Sequence, residues 1–130
     1  MAKGYLIDTC AVIKYLNETI PKAGISFIDE ILEVKSIISF VTEIELQVWE
    51  PSAKEDVDVY MDFIANSSIL KIDDEIIKQT IRIRKKYKLK MPDAIIAATA
   101  ITNDFTLISD NDKDYLKIYG LKYINPVNKK

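Results

Sequence analysis

Four stretches of this 130-residue chain carry acids in company that could do chemistry. Asp8 closes the apolar run "GYLI", and Glu45 lies in "TEIEL". Asp93 opens "DAIIAATA", and Asp110, Asp112 and Asp114 surround Asn111 and Lys113 in "SDNDKDY". Carboxylates gathered in one place without a cation repel one another, and burial raises their pKa values further. Hard oxygen donors of this kind suit Mg²⁺ or Mn²⁺, with water completing the coordination. A divalent ion so held can turn bound water into hydroxide and neutralise a phosphoryl transition state. Two ions about 3.5–4 Å apart can hold attacking and leaving oxygens in line. The chain has no histidine. Ser-His-Asp triads, imidazole acid–base chemistry and histidine-held zinc are therefore excluded.

Each acid also has a purely local explanation. Asp8 would cap a following helix, since aspartate accepts from the free N–H groups there. Thr42 and Glu45 match the Ser/Thr-x-x-Glu capping box. Asp93 would complement a positive helix end, an effect of roughly 0.3–1 kcal/mol. Residues 110–114 would be an exposed polar turn. These explanations deal with the acids one at a time, and leave open whether they share an address.

The elements that would position them follow from periodicity. "GYLI" reads as a strand ending at Asp8, and residues 9–17 as a helix with Val12, Ile13 and Leu16 on one side. A second helix follows Pro21, with Ile25, Ile28, Ile31 and Leu32 at helical spacing. Residues 36–40 form a buried strand; residues 42–49 return to helix, closed by Pro51. Residues 52–66 form a helix with Val57, Tyr60, Met61 and Ile64 inward, and residues 68–72 a third strand. Asp73 and Asp74 open a long helix through Ile76, Ile77, Thr80, Ile81 and Tyr87. Pro92 takes the first position of the next, where its missing N–H costs nothing. Residues 104–109 and 122–125 are the last strands. Alternating strands and helices, with several strands apolar on both faces, predict a parallel sheet sandwiched by helices. In such sheets the crevice lies beyond the C-terminal strand ends. Asp8, Glu45 and the residue 110–114 cluster all follow such ends.

Composition sets the bounds. With 48% hydrophobic and 29% charged residues, the chain reads as one globular domain over residues 1–130. No apolar run reaches the ~20 residues of a membrane span, and no secretory signal is apparent. Cys10, the lone cysteine, cannot form an internal disulfide. A cytoplasmic protein is the expectation. The net charge of −2 announces no nucleic-acid binding. Locally, "RIRKKYKLK", residues 82–90, holds six of the 18 basic residues around a tyrosine. It reads as the solvated end of an amphipathic helix or as a phosphate-binding strip.

In order and spacing, these stretches resemble a PIN domain, and specifically the VapC family of toxin ribonucleases, over nearly the whole chain. "YLIDTCAVIKYL" is similar to the family's opening strand and Asp-Thr-Asn turn. "ISFVTEIEL" resembles its Thr-x-x-Glu-Leu segment, which places the family glutamate at Glu45 and not Glu43. "DAIIAATA" matches its Asp-x-x-Ile-Ala-Ala-x-Ala helix at every defined position. "SDNDKDY" follows its Thr-x-Asn-x-x-Asp-Phe pattern, with Ser109 for threonine and Tyr115 for phenylalanine. Cys10 stands where the family has asparagine, and a thiol orients its neighbours less well than an amide.

The resemblance implies a three-layer α/β/α sandwich with a central parallel sheet. It implies Mg²⁺-dependent endonucleolytic cleavage of RNA (Mn²⁺ as the alternative metal), a homodimer and a VapB-type antitoxin. Asp8 and Asp93 would be the metal ligands. Glu45 and Asp114 would complete the catalytic set, holding a second ion or the attacking water, with Asn111 beside Asp114. Small Ala97, Ala98 and Ala100 would let the Asp93 helix sit close on the sheet. A PIN nuclease of RNA processing, or a PIN domain that only binds RNA or protein, are the alternatives. A response-regulator receiver would pair Asp8 with Asp73 and leave "PDAIIAATA" and "SDNDKDY" unexplained.

Overall fold

A computed structural model describes residues 4–49 and 54–129. The chain runs β1 (Gly4–Ile7), α1 (Thr9–Leu16), α2 (Lys22–Val34), β2 (Ile37–Ser39), α3 (Phe40–Val48), α4 (Lys54–Ala65) and β3 (Ser68–Leu70). It continues through α5 (Asp74–Tyr87), α6 (Met91–Thr102), β4 (Phe105–Ile108), α7 (Asp112–Tyr115) and β5 (Lys122–Ile124), and ends in a 3-10 turn, Pro126–Asn128.

All strand pairings are parallel. β4 lies between β1 and β5, with Ile7 opposite Ile108 and Ile108 opposite Ile124. β2 pairs with β3 and packs beside β1. Adjacent residues of one strand feed opposite cores, as the two-residue period of a strand requires. Leu6, Ile37 and Leu107 face a core made largely with α5 and α6. Ile7, Ile38 and Ile108 face another made with α1, α2 and α4. That split makes the sheet the central layer of an α/β/α sandwich, as the sequence predicts.

The α6 face shows why alanine recurs there. Ala94, Ala97, Ala98 and Ala100 are all fully buried between α5 and the sheet. Without longer side chains to separate them, helix and sheet close up and fix the angle at which the first turn of α6 points. α5 opens at Asp73, whose Oδ1 accepts from the Ile76 N–H at 2.8 Å. Asp73 is thus a helix cap and not a receiver acid.

Several boundaries differ from the sequence reading. α3 begins at Phe40, two residues earlier than predicted, because Ser39 is its cap and accepts from the Val41 N–H. α6 begins at Met91, so Pro92 is its second residue. The predicted closure at Pro51 lies outside the described residues. In α4 Tyr60 and Ile64 are buried, but Val57 and Met61, expected inward, are 44% and 45% exposed. They border a hollow of about 130 Å³ beside Leu46 and Trp49, where among the described residues no further layer covers the helix.

Candidate active site

Asp8 leaves the end of β1, where its N–H donates to the Ile108 carbonyl at 2.9 Å and ties it to the neighbouring strand. It caps α1, with Oδ1 accepting from the Thr9 N–H at 2.8 Å. Oδ2 accepts from the Ser109 hydroxyl at 2.8 Å and from the Cys10 thiol at 3.4 Å. The carboxylate is only 5% exposed. Burial pushes its pKa up to about 6, against the pull of those three donors, and the charge of Asp93 pushes in the same direction as burial. Asp8 therefore both caps α1 and faces the pocket, so capping does not use it up.

Glu45 is brought in by α3. Its Oε1 accepts from the Thr9 hydroxyl at 2.6 Å, and Thr9 Oγ1 is also 3.0 Å from Thr42 Oγ1. The proposed capping box is thereby overturned. Thr42 is fully buried inside the helix and turned to Thr9, while Ser39 does the capping. Glu43 points elsewhere, toward Lys71 at 3.7 Å. Two positions on a helix are 200° apart, so neighbours at that spacing cannot serve one site.

Asp93 stands half-buried in the first turn of α6. Burial raises its pKa first, then the charges of Asp114 and Glu45; Lys90 and a long hydrogen bond from the Tyr115 hydroxyl, 3.5 Å, oppose them. Asp114, on α7, accepts from the Asn111 side-chain amide at 2.9 Å. Asp110 pairs with Lys14. Burial works against its ionisation, yet the nearby Cys10 thiol and the Lys14 ammonium hold its pKa below the usual carboxylate value. Asp112 turns away, accepting from Tyr123 at 2.6 Å and Asn125 at 3.1 Å, and so anchors β5.

Asp8, Glu45 and Asp93 line one open pocket of about 470 Å³ with Thr9, Cys10, Ile13, Asp110 and Asn111. Asp114 flanks it, near enough to act on Asp93. The four acids singled out from the sequence thus meet at the C-terminal edge of β1 and β4. A second groove of about 540 Å³ continues from Thr9, Ile13 and Glu45 past Val48 and Trp49. Among the described residues no three of these side chains close into a cage for an ion. Mg²⁺ asks for no such cage, since one or two carboxylates and several waters suffice.

Thr9 and Ser109, which hold the acids, and Thr42, which meets Thr9, make contacts that sequence reasoning did not foresee. Their signal was hydroxyl residues beside acids, too common a pattern to single out. Burial, then the charge of Asp8, pushes the Cys10 thiol well above the ordinary range and disfavours the thiolate that a nucleophile needs.

The PIN domain family model matches residues 5–121. The chain belongs to the PIN domain family. Solved structures agree. A toxin–antitoxin complex from Klebsiella pneumoniae contains a chain 29% identical, with a TM-score of 0.72 over 95% of this chain and 98% of that one. VapBC2 from Rickettsia felis, bound to a promoter DNA fragment, is 22% identical with a TM-score of 0.77, covering 93% and 97%. VapBC-1 from nontypeable Haemophilus influenzae is 19% identical with a TM-score of 0.79, covering 95% and 98%. No curated protein sequence matches the chain. Among the described residues of this PIN domain, no helix is long and apolar enough to cross a membrane.

Proposed function

We propose that this PIN domain is a Mg²⁺-dependent endoribonuclease acting in the cytoplasm, the toxin of a toxin–antitoxin pair held in check by a VapB-type antitoxin and working as a homodimer. One observation carries the reading. Three acids from separate elements, Asp8, Glu45 and Asp93, converge on a single open pocket. Two of them, Asp8 and Asp93, have pKa values raised by burial and by neighbouring carboxylates. Local capping does not account for such convergence; a hard cation held by one or two of these carboxylates, with the others close by to act on water, does. The toxin assignment is supported by the solved structures resembling this chain, several of which are toxin–antitoxin complexes.

Asp8 and Asp93 are the residues that would hold Mg²⁺, or Mn²⁺ in its place. When bound, the ion lowers the pKa of water and offsets charge on the phosphoryl group. The chain's own contribution is orientation. Ser109 and the Thr9 N–H fix both oxygens of Asp8, so a cation meets a carboxylate that no longer rotates. Thr9 holds one oxygen of Glu45, leaving the other free to take a proton from an attacking water or orient it. Asn111 sets Asp114 beside Asp93, where it would hold a second ion or that water.

The test is cleavage of a mixed RNA preparation by purified protein, with Mg²⁺ and after EDTA. Cleavage should depend on the metal, and Asp93→Asn should fold but lose activity by orders of magnitude. Undiminished cleavage in EDTA would overturn the metal mechanism. Co-purification with the product of an adjacent small reading frame tests the antitoxin, and light scattering the dimer.

A further inference from the structure

The basic strip leads into Asp93, and an exposed tyrosine lies on the segment that leaves Asp114. In residues 82–90 Arg82, Arg84, Lys85, Lys86, Lys88 and Lys90 are all exposed, and none has an ion-pair partner among the described residues. Arg84 is nonetheless fixed, its Nε donating to the Leu89 carbonyl at 3.2 Å. The strip ends at the pocket mouth, since Lys90 lies close enough to Asp93 to act on its charge.

Beside it stands Tyr119, 82% exposed, a position where an aromatic ring contributes little to folding. Its backbone, however, is pinned. The Tyr119 N–H donates to the Tyr87 hydroxyl at 2.9 Å. The neighbouring Ile118 is buried, and Gly120 adopts φ 87°, the left-handed region that turns the chain back. Lys86 lies over the Tyr87 ring, 5.3 Å from its centroid. A free ring on a fixed turn, next to unpaired cations, has the parts of a stacking platform for nucleic-acid bases.

The platform is also a short stretch of chain away from the chemistry. Tyr119 follows Asp114 by five residues and Tyr87 precedes Asp93 by six. Even fully extended, such segments span no more than roughly 20 Å. We propose that Tyr119, with Lys85, Lys86 and Lys88, binds single-stranded RNA flanking the cut site, a base stacking on Tyr119 while the lysines follow the phosphates. Single strands are specified because a paired, stacked base cannot offer its face. This inference rests on the ribonuclease reading above.

The test measures binding of a short fluorescein-labelled RNA, single-stranded and as a duplex, to the full chain carrying Asp93→Asn in Mg²⁺. Adding Tyr119→Ala should weaken single-strand binding about tenfold, without changing the salt slope; Tyr119→Phe should restore it. Lys85→Gln, Lys86→Gln and Lys88→Gln together should flatten the slope, by roughly 0.7 per lost phosphate contact. In otherwise wild-type protein Tyr119→Ala should raise KM and leave kcat unchanged. Equal affinity with and without the ring, or duplex bound as tightly as single strand, would overturn the proposal. So would an effect of Tyr119→Ala confined to self-association in light scattering, which marks a protein contact. If the parent protein neither cuts nor binds RNA, the ribonuclease reading itself fails. If it cuts RNA and Tyr119→Ala is silent, only the platform fails.

Discussion

The two walls of the acid pocket are built differently. On the β1–α3 wall, Asp8 and Glu45 are gripped by neutral donors: Ser109, the Thr9 N–H, Cys10 and the Thr9 hydroxyl. On the α6–α7 wall, Asp114 is held by the Asn111 amide, but Asp93 has among the described residues only a long hydrogen bond from Tyr115 and otherwise answers to burial and to the charges of Asp114, Glu45 and Lys90. The first wall is oriented by hydrogen bonds before any ligand arrives; at Asp93 the second is set by burial and a balance of charges. The first should respond to loss of a hydroxyl, the second to pH and to cations.

Glu45→Gln makes the sharpest cut at this contrast. Glutamine keeps an oxygen to accept from Thr9 and leaves the Ser39 cap untouched, so geometry survives and only the charge goes. RNA cleavage should fall by orders of magnitude, while the thermal midpoint should reflect less than about 1 kcal/mol. Glu43→Gln, on the far face beside Lys71, should cleave like wild type. Reversed behaviour of the two would mean that α3 presents its other glutamate.

How much of this was legible beforehand depends on the range of the interaction involved. The parallel sheet was legible because Leu6 and Ile7, or Leu107 and Ile108, are consecutive apolar pairs in short runs that alternate with helical segments, as strands buried on both faces are. Asp8, Glu45 and Asp93 were legible because each sits where an element begins or has just begun. The cap of α3 was not, because Ser39 and Thr42 are both hydroxyls near the helix start. What decides between them is Thr9, 33 positions from Thr42. Without the family resemblance, which singled out Asp114, Asp112 could not be told from its neighbours for the same reason, since Tyr123 and Asn125 decide its direction. In α4, helical spacing marked Val57 and Met61 as a face but could not say that little lies opposite it.

The next largest effect is on stability against pH. Asp8 in the folded chain holds its proton up to about pH 6, and in the unfolded chain only to about 3.8. Between these values the folded state binds more protons, so stability falls as pH rises through the window. A gap that wide between folded and unfolded chain corresponds to a loss of roughly 2–3 kcal/mol, with Asp93 adding in the same direction. Urea unfolding of metal-free protein at both ends of the window should show it, and Asp8→Asn should flatten it. Mg²⁺ at neutral pH should restore stability by binding the folded state alone. A slope equal in wild type and Asp8→Asn would place the strain elsewhere.

Thr9→Val probes the hydrogen-bonded wall more gently. Glu45 keeps its charge but loses the 2.6 Å contact that aims it. Cleavage should drop about tenfold in kcat, the worth of roughly 1.4 kcal/mol, with KM little changed. Thr9→Ser restores the hydroxyl and should recover most of the rate. Failure of serine to rescue would show that the threonine methyl, not its hydrogen bond, matters.

Tyr115→Phe touches the charge-set wall and should have the smallest effect. The tyrosine is buried, and burial followed by the charges of Asp8 and Asp93 drives its pKa far upward, so its hydroxyl stays protonated and donates to Asp93. At 3.5 Å that donation is weak, and phenylalanine fills the same space without leaving a cavity. The rate at neutral pH should fall by no more than about twofold. The direction of a subtler change follows from the same bond. Because the hydroxyl lowers the pKa of Asp93, removing it should move the acid limb of the pH–rate profile to higher pH. A phenylalanine variant whose acid limb moves downward would mean that Tyr115 does not donate to Asp93. A large rate loss at neutral pH would mean that the hydroxyl orients this acid as firmly as Ser109 orients Asp8, and the contrast between the walls would disappear.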